Sequence, residues 1–465
     1  MSAMSFAIGP APQTRRDDVV EILHGRTIED PYRWLEDADS PDTVDWVERQ
    51  RAFTEEAFTK LRTREAFRNR LTELYSLPGD TIDKHCGGRY LMWHDDGDAA
   101  QPVVQAAEDW RDLFDRPITL LDPNDWSEDG TTSLKDAAIS PDGSTLAWAS
   151  SAAGSDWTSF TLRNVATGEE RDPRIRTKFS TVSWFPDSVS LLVLDFPDKE
   201  TGETAVTKAA GDPRLVMVRT DTGERTEVLP AGPEGTFYWG GISHETDENG
   251  DRTGEGWVVV SDIIGTSHNS GLTVFRHHLV DGHSVVEKGR RIAEADASHH
   301  PVGIVGSTFF VLTDDITPTY RLVAIDLAAD EPTPSEVIAS SEYPLSTVVL
   351  AGETLVAVYM VDVSPRISRW STSGEHLGDV DIEAGDVHLT APDEHQPDVF
   401  IHATGPSSPN VVYHLDATSG ELEKIQSAEV GQFHAGVERR HATSVDGTQV
   451  PYWYMRDESN DATGP

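Results

Sequence analysis

The sequence predicts a mainly β protein: a seven-bladed β-propeller preceded by an N-terminal helical segment. Three observations lead there. Helical periodicity is confined to residues 1–78. From about residue 87 onward, short apolar or alternating runs are separated by Gly, Asp, Pro and Ser, with no long helical pattern between them. A polar turn also recurs along that region at a blade-sized interval.

The helices come first. Ser40 followed by Pro41 reads as an N-cap with proline at the first helical position. Val44, Val47, Phe53, Ala57, Phe58 and Leu61 then recur at helical spacing. A second helix is predicted over 65–75, with Phe67, Leu71 and Leu74 on one face. Both are amphipathic, so both need a surface to pack on. Strand-like runs follow at 90–93, 145–149, 191–194, 215–218, 257–260, 309–312, 355–360 and 411–415. A β region of this length is too long for a single sandwich.

The recurring turn sets the architecture. Ser/Thr-Gly-Glu stands at 167–169, 222–224, 373–375 and 419–421, each between two strand-like runs. Glycine supplies the positive φ such a turn needs. A weaker copy surrounds Gly282, and two more without glycine fit around Asp112 and Ala328. Centres at 112, 168, 223, 282, 328, 374 and 420 are spaced by about 51 residues on average, right for a four-stranded blade. No Trp-Asp pair occurs, and Gly-Gly stands only at 87–88 and 240–241, which disfavours WD40 and kelch repeats. Residues 438–455 read as two further strands around Asp446-Gly447, followed by a polar stretch to Pro465. The expected division is a helical segment over 1–78, the propeller over 79–436 and the start of a further domain over 437–465.

Composition narrows the function. The chain has 465 residues and a net charge of −42, from 80 acidic and 38 basic side chains. Nucleic acid and anionic membranes need a basic face, so neither is an expected partner. Of the basic residues 8 are Lys and 30 Arg, a bias that suits a salty cytoplasm or follows from a GC-rich genome. The lone cysteine, Cys86, excludes an intrachain disulfide framework and reads as a small buried hydrophobe. No signal-peptide pattern opens the sequence and no apolar run reaches transmembrane length, so a cytoplasmic location is expected.

Catalytic signatures are scarce. Gly-x-Ser-x-Gly, the nucleophile elbow of α/β-hydrolases, does not occur. The glycine-serine segments at 265–271 and 405–409 read as loops. His277-His278 and His299-His300 would point to opposite faces of a strand, so no metal site is expected there. The acidic loop at 247–251 lacks the spacing of a calcium loop. No phosphate-cradling glycine loop precedes a helix, so no cofactor is expected. The residues alone describe a binding or gating module, with ligands at the channel mouth.

Several strings add to this. Asp30-Pro-Tyr-Arg-Trp-Leu-Glu-Asp37 resembles the N-terminal signature of the prolyl oligopeptidase family of serine peptidases. Gly154-Ser-Asp-Trp157 behind Ile139-Ser-Pro-Asp-Gly143, Lys178-Phe-Ser180 ahead of Trp184, and Ala442-Thr-Ser-Val-Asp-Gly-Thr-Gln-Val-Pro451 follow in the family's order. The resemblance covers about 17–456. It implies a seven-bladed propeller capping an α/β-hydrolase domain that cleaves short peptides after proline without a cofactor. The implied nucleophilic serine, aspartate and histidine would lie beyond Pro465, so this chain is expected to be inactive alone. The first helices would pack on the hydrolase domain and the last strands would begin its sheet, leaving an apolar patch exposed around Trp46 and Phe58. Phe179 and Trp239 are carried over as substrate-binding candidates; core aromatics are the alternative reading. The family's arginine near 258–261 is absent, with Asp262, Ile263 and Ile264 in its place. The competing function is a free-standing propeller that binds a peptide or protein partner without catalysis.

Overall fold

The structure is a computed structural model; it describes residues 9–61, 63–196, 212–247, 252–408, 410–427 and 435–457. The chain divides into two compact units, Met1–Ser76 and Leu77–Pro465.

In the first unit the Ser40 hydroxyl accepts from the Thr43 amide at 3.2 Å, and Pro41 opens α1, Pro41–Thr59. α2 follows over Arg64–Tyr75. The Asp30–Asp37 string forms a corner that organises this unit. The Arg33 guanidinium bridges Asp30 at 2.7 Å and Glu21 at 2.5 Å. The Trp34 ring meets Trp46 edge-on at 6.4 Å, and the Trp46 indole donates to the Thr14 hydroxyl at 2.9 Å. Trp46 is therefore turned inward. The exposed apolar surface of the helices lies on the Trp46 neighbours Val44 and Val47, on Phe58 and on α2, where Phe67, Leu71 and Tyr75 line a groove of about 830 Å³.

Among the described residues the second unit holds seven antiparallel blade sheets, each a four-stranded meander drawn from one continuous stretch of chain, with a fifth short strand added to the second and to the fourth. Their first strands are Gly79–Cys86, Ser133–Ile139, Ser183–Trp184, Thr236–Thr246, His299–Val305, Leu345–Ala351 and Asp386–Thr390, for blades 1 to 7. All seven predicted turn centres fall between the third and fourth strands of successive blades, including those at Asp112 and Ala328. Gly168, Gly223, Gly282, Gly374 and Gly420 have φ between +73° and +88°, the region that favours glycine.

Apolar packing is partitioned blade against blade. One cluster joins blades 3 and 4 through Phe185, Leu192, Leu215, Val258 and Phe275. Others join blades 5 and 6 through Phe310, Leu322 and Leu355, and blades 6 and 7 through Val356, Ile367 and Ile401. Second and third strands are sandwiched between neighbouring sheets, so they are apolar on both faces.

Among the described residues no strand is shared between blades 1 and 7. Their seam is made largely by side chains. Tyr90 donates to Asp398 at 2.5 Å, Gln426 to Asp80 at 2.7 Å and Thr390 to the Ile82 carbonyl at 2.7 Å. Phe400 of blade 7 is fully buried against Trp110 of blade 1. A final hairpin pairs Ala435–Thr443 with Gln449–Asp457, as predicted around Asp446-Gly447. The polar stretch beyond 457 lies outside the described residues.

Candidate functional site

Phe179 and Trp239 are brought onto one surface of the propeller, and neither is a core aromatic. Phe179 follows the short strand Arg176–Lys178, which pairs with blade 2. Its neighbours are clamped to blade 3. The Thr177 hydroxyl donates to the Leu194 carbonyl at 2.5 Å, and the Ser180 hydroxyl accepts from the Leu194 amide at 2.8 Å. Between these anchors the backbone of Phe179 sits at φ +53°, and its side chain is 51% exposed. A positive φ at a bulky residue is strained.

Trp239 lies on the first strand of blade 4, paired with Ser261, and is 52% exposed. Strand alternation puts Phe237 on the same face. Its ring stands 6.2 Å from Phe179 and 6.4 Å from Trp239, so three aromatic rings form one platform. Tyr238 points the other way, buried, with its hydroxyl donating to the Pro230 carbonyl at 3.0 Å. Phe237 was not singled out from the sequence, although the Phe-x-Trp alternation carried the signal. At the end of the 258–261 run, Asp262 has its own partner: Arg291 forks onto its carboxylate.

The second feature is the channel. A cavity of about 460 Å³ is lined from every blade, by His85, Ile139, Trp184, Ser243, Ile304, Leu350 and Asp393 among others. Burial perturbs several titratable groups in and near it. Desolvation pushes the Glu394 carboxyl up, and Asp83, beside the cavity residue Lys84, rises to about 6. His277 falls to about 4 and His244 well below the usual imidazole range, both because burial disfavours their charged form. Burial likewise pushes the half-buried Cys86 thiol up, and its sulfur accepts from the Ile139 amide at 3.3 Å.

The remaining candidates stay apart from both features or serve the fold. The glycine-serine segment at 265–271 links the second and third strands of blade 4. His277 is fully buried and donates to the Ser243 carbonyl at 3.0 Å, while His278 lies across its strand from it. The acidic loop from 248 to 251 and Pro409 lie outside the described residues. Among the described residues no group of three or more His, Cys, Asp or Glu has the arrangement of a metal site.

The comparisons with known proteins agree with one another. The family model described as prolyl oligopeptidase, N-terminal β-propeller domain, matches residues 12–428. The prolyl endopeptidase of Elizabethkingia meningoseptica is 23% identical over all of this chain and 64% of its own length. That of Elizabethkingia miricola is 24% identical over 95% of this chain and 60% of its own. The chain thus spans less than two thirds of these relatives. A dual-function macrocyclase-peptidase of Amanita bisporigera is 25% identical over 98% of this chain. Among solved structures, prolyl oligopeptidase B from Galerina marginata bound to a 25mer macrocyclization substrate superposes with a TM-score of 0.82 at 21% identity. It covers 98% of this chain and 66% of that one.

Proposed function

This chain belongs to the prolyl oligopeptidase family, and from that premise we propose that it forms the propeller part of a serine peptidase that cleaves short peptides after proline. The match over 12–428 carries the reading. The propeller's role is to filter: it admits short, flexible peptides to a shielded site and keeps folded proteins away. We assign the nucleophile, its histidine base and the orienting aspartate to a hydrolase domain, so the propeller by itself is expected not to turn over peptide. Phe179 and Trp239, with Phe237 between them, supply an apolar platform for a peptide side chain. The exposed α2 groove and the hairpin at Ala435–Asp457 are surfaces that the hydrolase domain covers and continues. No helix among the described residues is long and apolar enough to cross a membrane. A cytoplasmic location is part of the same proposal.

The platform also favours the second reading, a non-catalytic peptide binder, because stacked rings hold a peptide without any catalytic group. Both readings put the catalytic groups outside this chain, and one experiment tests that shared premise. The 465-residue chain is expected to give no turnover of a proline-linked chromogenic peptide and no labelling by a fluorophosphonate. Turnover blocked by that reagent would refute the assignment of catalysis to another domain. Strong hydrogen-exchange protection of α1 and α2 in the monomeric chain would refute the covered groove.

A further inference from the structure

A propeller whose first and last blades share no strand needs some other closure. The turn between the first and second strands of blade 7 reaches far beyond its own sheet. Its Pro392 carbonyl accepts from the His85 amide of blade 1 at 2.9 Å, and Asp393 pairs with the His85 ring at 3.0 Å. The Glu394 carbonyl accepts from the Gly352 amide of blade 6 at 2.9 Å. The Glu394 carboxylate accepts from the Ser243 hydroxyl of blade 4 at 2.5 Å and from the Ile304 amide of blade 5 at 3.2 Å. His395 donates to the His244 carbonyl of blade 4 at 2.6 Å. Blade 4 lies across the ring from blade 7, so these last bonds span the channel.

Other features fit this crossing. A Cβ on Gly303 would stand only 3.0 Å from a Glu394 carboxylate oxygen and 2.6 Å from Leu350, so a larger residue there would crowd the contact. Ser243 lies four residues beyond Trp239 on the same strand, roughly 13 Å along the channel. The crossing is therefore at the end of the first strands remote from the aromatic platform.

We infer that residues 392–395 form a strap across the channel that closes the ring, tying the last blade to blades 1, 4, 5 and 6 in place of a shared strand. Opening at the seam then requires the strap to release, and the strap bars the channel at its remote end.

The test is residue-resolved hydrogen exchange on the full 465-residue chain carrying Glu394→Ala, Ser243→Ala or both. Exchange of the Ile304, Gly352 and His85 amides is expected to rise about tenfold or more in Glu394→Ala. Faster exchange is expected to spread through blades 1 and 7 and to leave blades 2 and 3 unchanged. The double variant should be no worse than the more severe single, because both remove one tie. Glu394→Gln, which keeps the length and an acceptor, should restore most of the protection. Unchanged exchange in blades 1 and 7 of a folded variant would overturn the inference. So would a uniform rise over all seven blades, or additive effects. If Glu394→Ala does not fold, Ser243→Ala, which loses a single hydroxyl, carries the same outcomes.

Discussion

Phe179 shows how much a single position can store. Its backbone is held at φ +53° by the anchors Thr177 and Ser180, so the ring is displayed at a conformational cost. Phe179→Gly should therefore be more stable than Phe179→Ala, by about 0.5–1 kcal/mol in urea unfolding, while both lose the ring. Equal stabilities would mean the backbone is not strained. Asp83 is a second such position. Burial lifts its carboxyl to about 6, so near neutral pH it is charged at a cost to the folded state. That cost disappears as pH falls from 7 towards 4. Asp393 and Asp398 act in the opposite sense. Their carboxyls are held low, chiefly by histidine and tyrosine hydrogen bonds that outweigh burial, and their contribution is lost only below the ordinary carboxylate range. Melting temperature should thus rise from pH 7 to about 5 and fall below about 4. Asp83→Asn should be more stable at pH 7, by on the order of 1–2 kcal/mol, and lack the rise. Calorimetry across pH reads this directly; an unaltered rise in the variant would assign it to other groups. Phe179 and Trp239 were legible because they stand in strings with a known resemblance. Glu394 was not, because its partner Ser243 is 151 positions away and no local period links them.

Among elements, the second and third strands were the readable ones. Every apolar run picked out in the sequence from residue 87 onward falls in such a strand, since burial on two faces writes a continuous pattern. First strands line the channel and carry polar groups, and that of blade 3 is only Ser183–Trp184, so they left little periodic signal. Trp46 was misplaced for a related reason. Helical spacing put it on the same helix as Phe58, but the Trp34 corner that covers it comes from outside the helix. The seam between blades 1 and 7 rests on fewer contacts than a shared strand would give, so its apolar anchor should matter. Phe400→Ala, at a fully buried site, is expected to cost about 3–5 kcal/mol in denaturant unfolding. A cost below about 1 kcal/mol would mean the seam collapses around the gap.

At the scale of the whole molecule, charge dominates. A net charge of −42 on 465 residues means self-repulsion that salt relieves, because the screening length shrinks from about 10 Å at 0.1 M to about 3 Å at 1 M. Melting temperature should rise by several degrees between dilute buffer and about 1 M sodium chloride; a flat or falling trend would show that the repulsion is already balanced locally. The seam has one more consequence. Asp80, near the start of the first blade, is bonded to Gln426, near the end of the last. The two ends of the propeller therefore stand side by side. A domain interrupted by this ring would have its cut ends held only a few ångströms apart, as though by an ordinary surface loop. A stretch of some 350 residues whose ends meet in this way would fit into a host fold without stretching it.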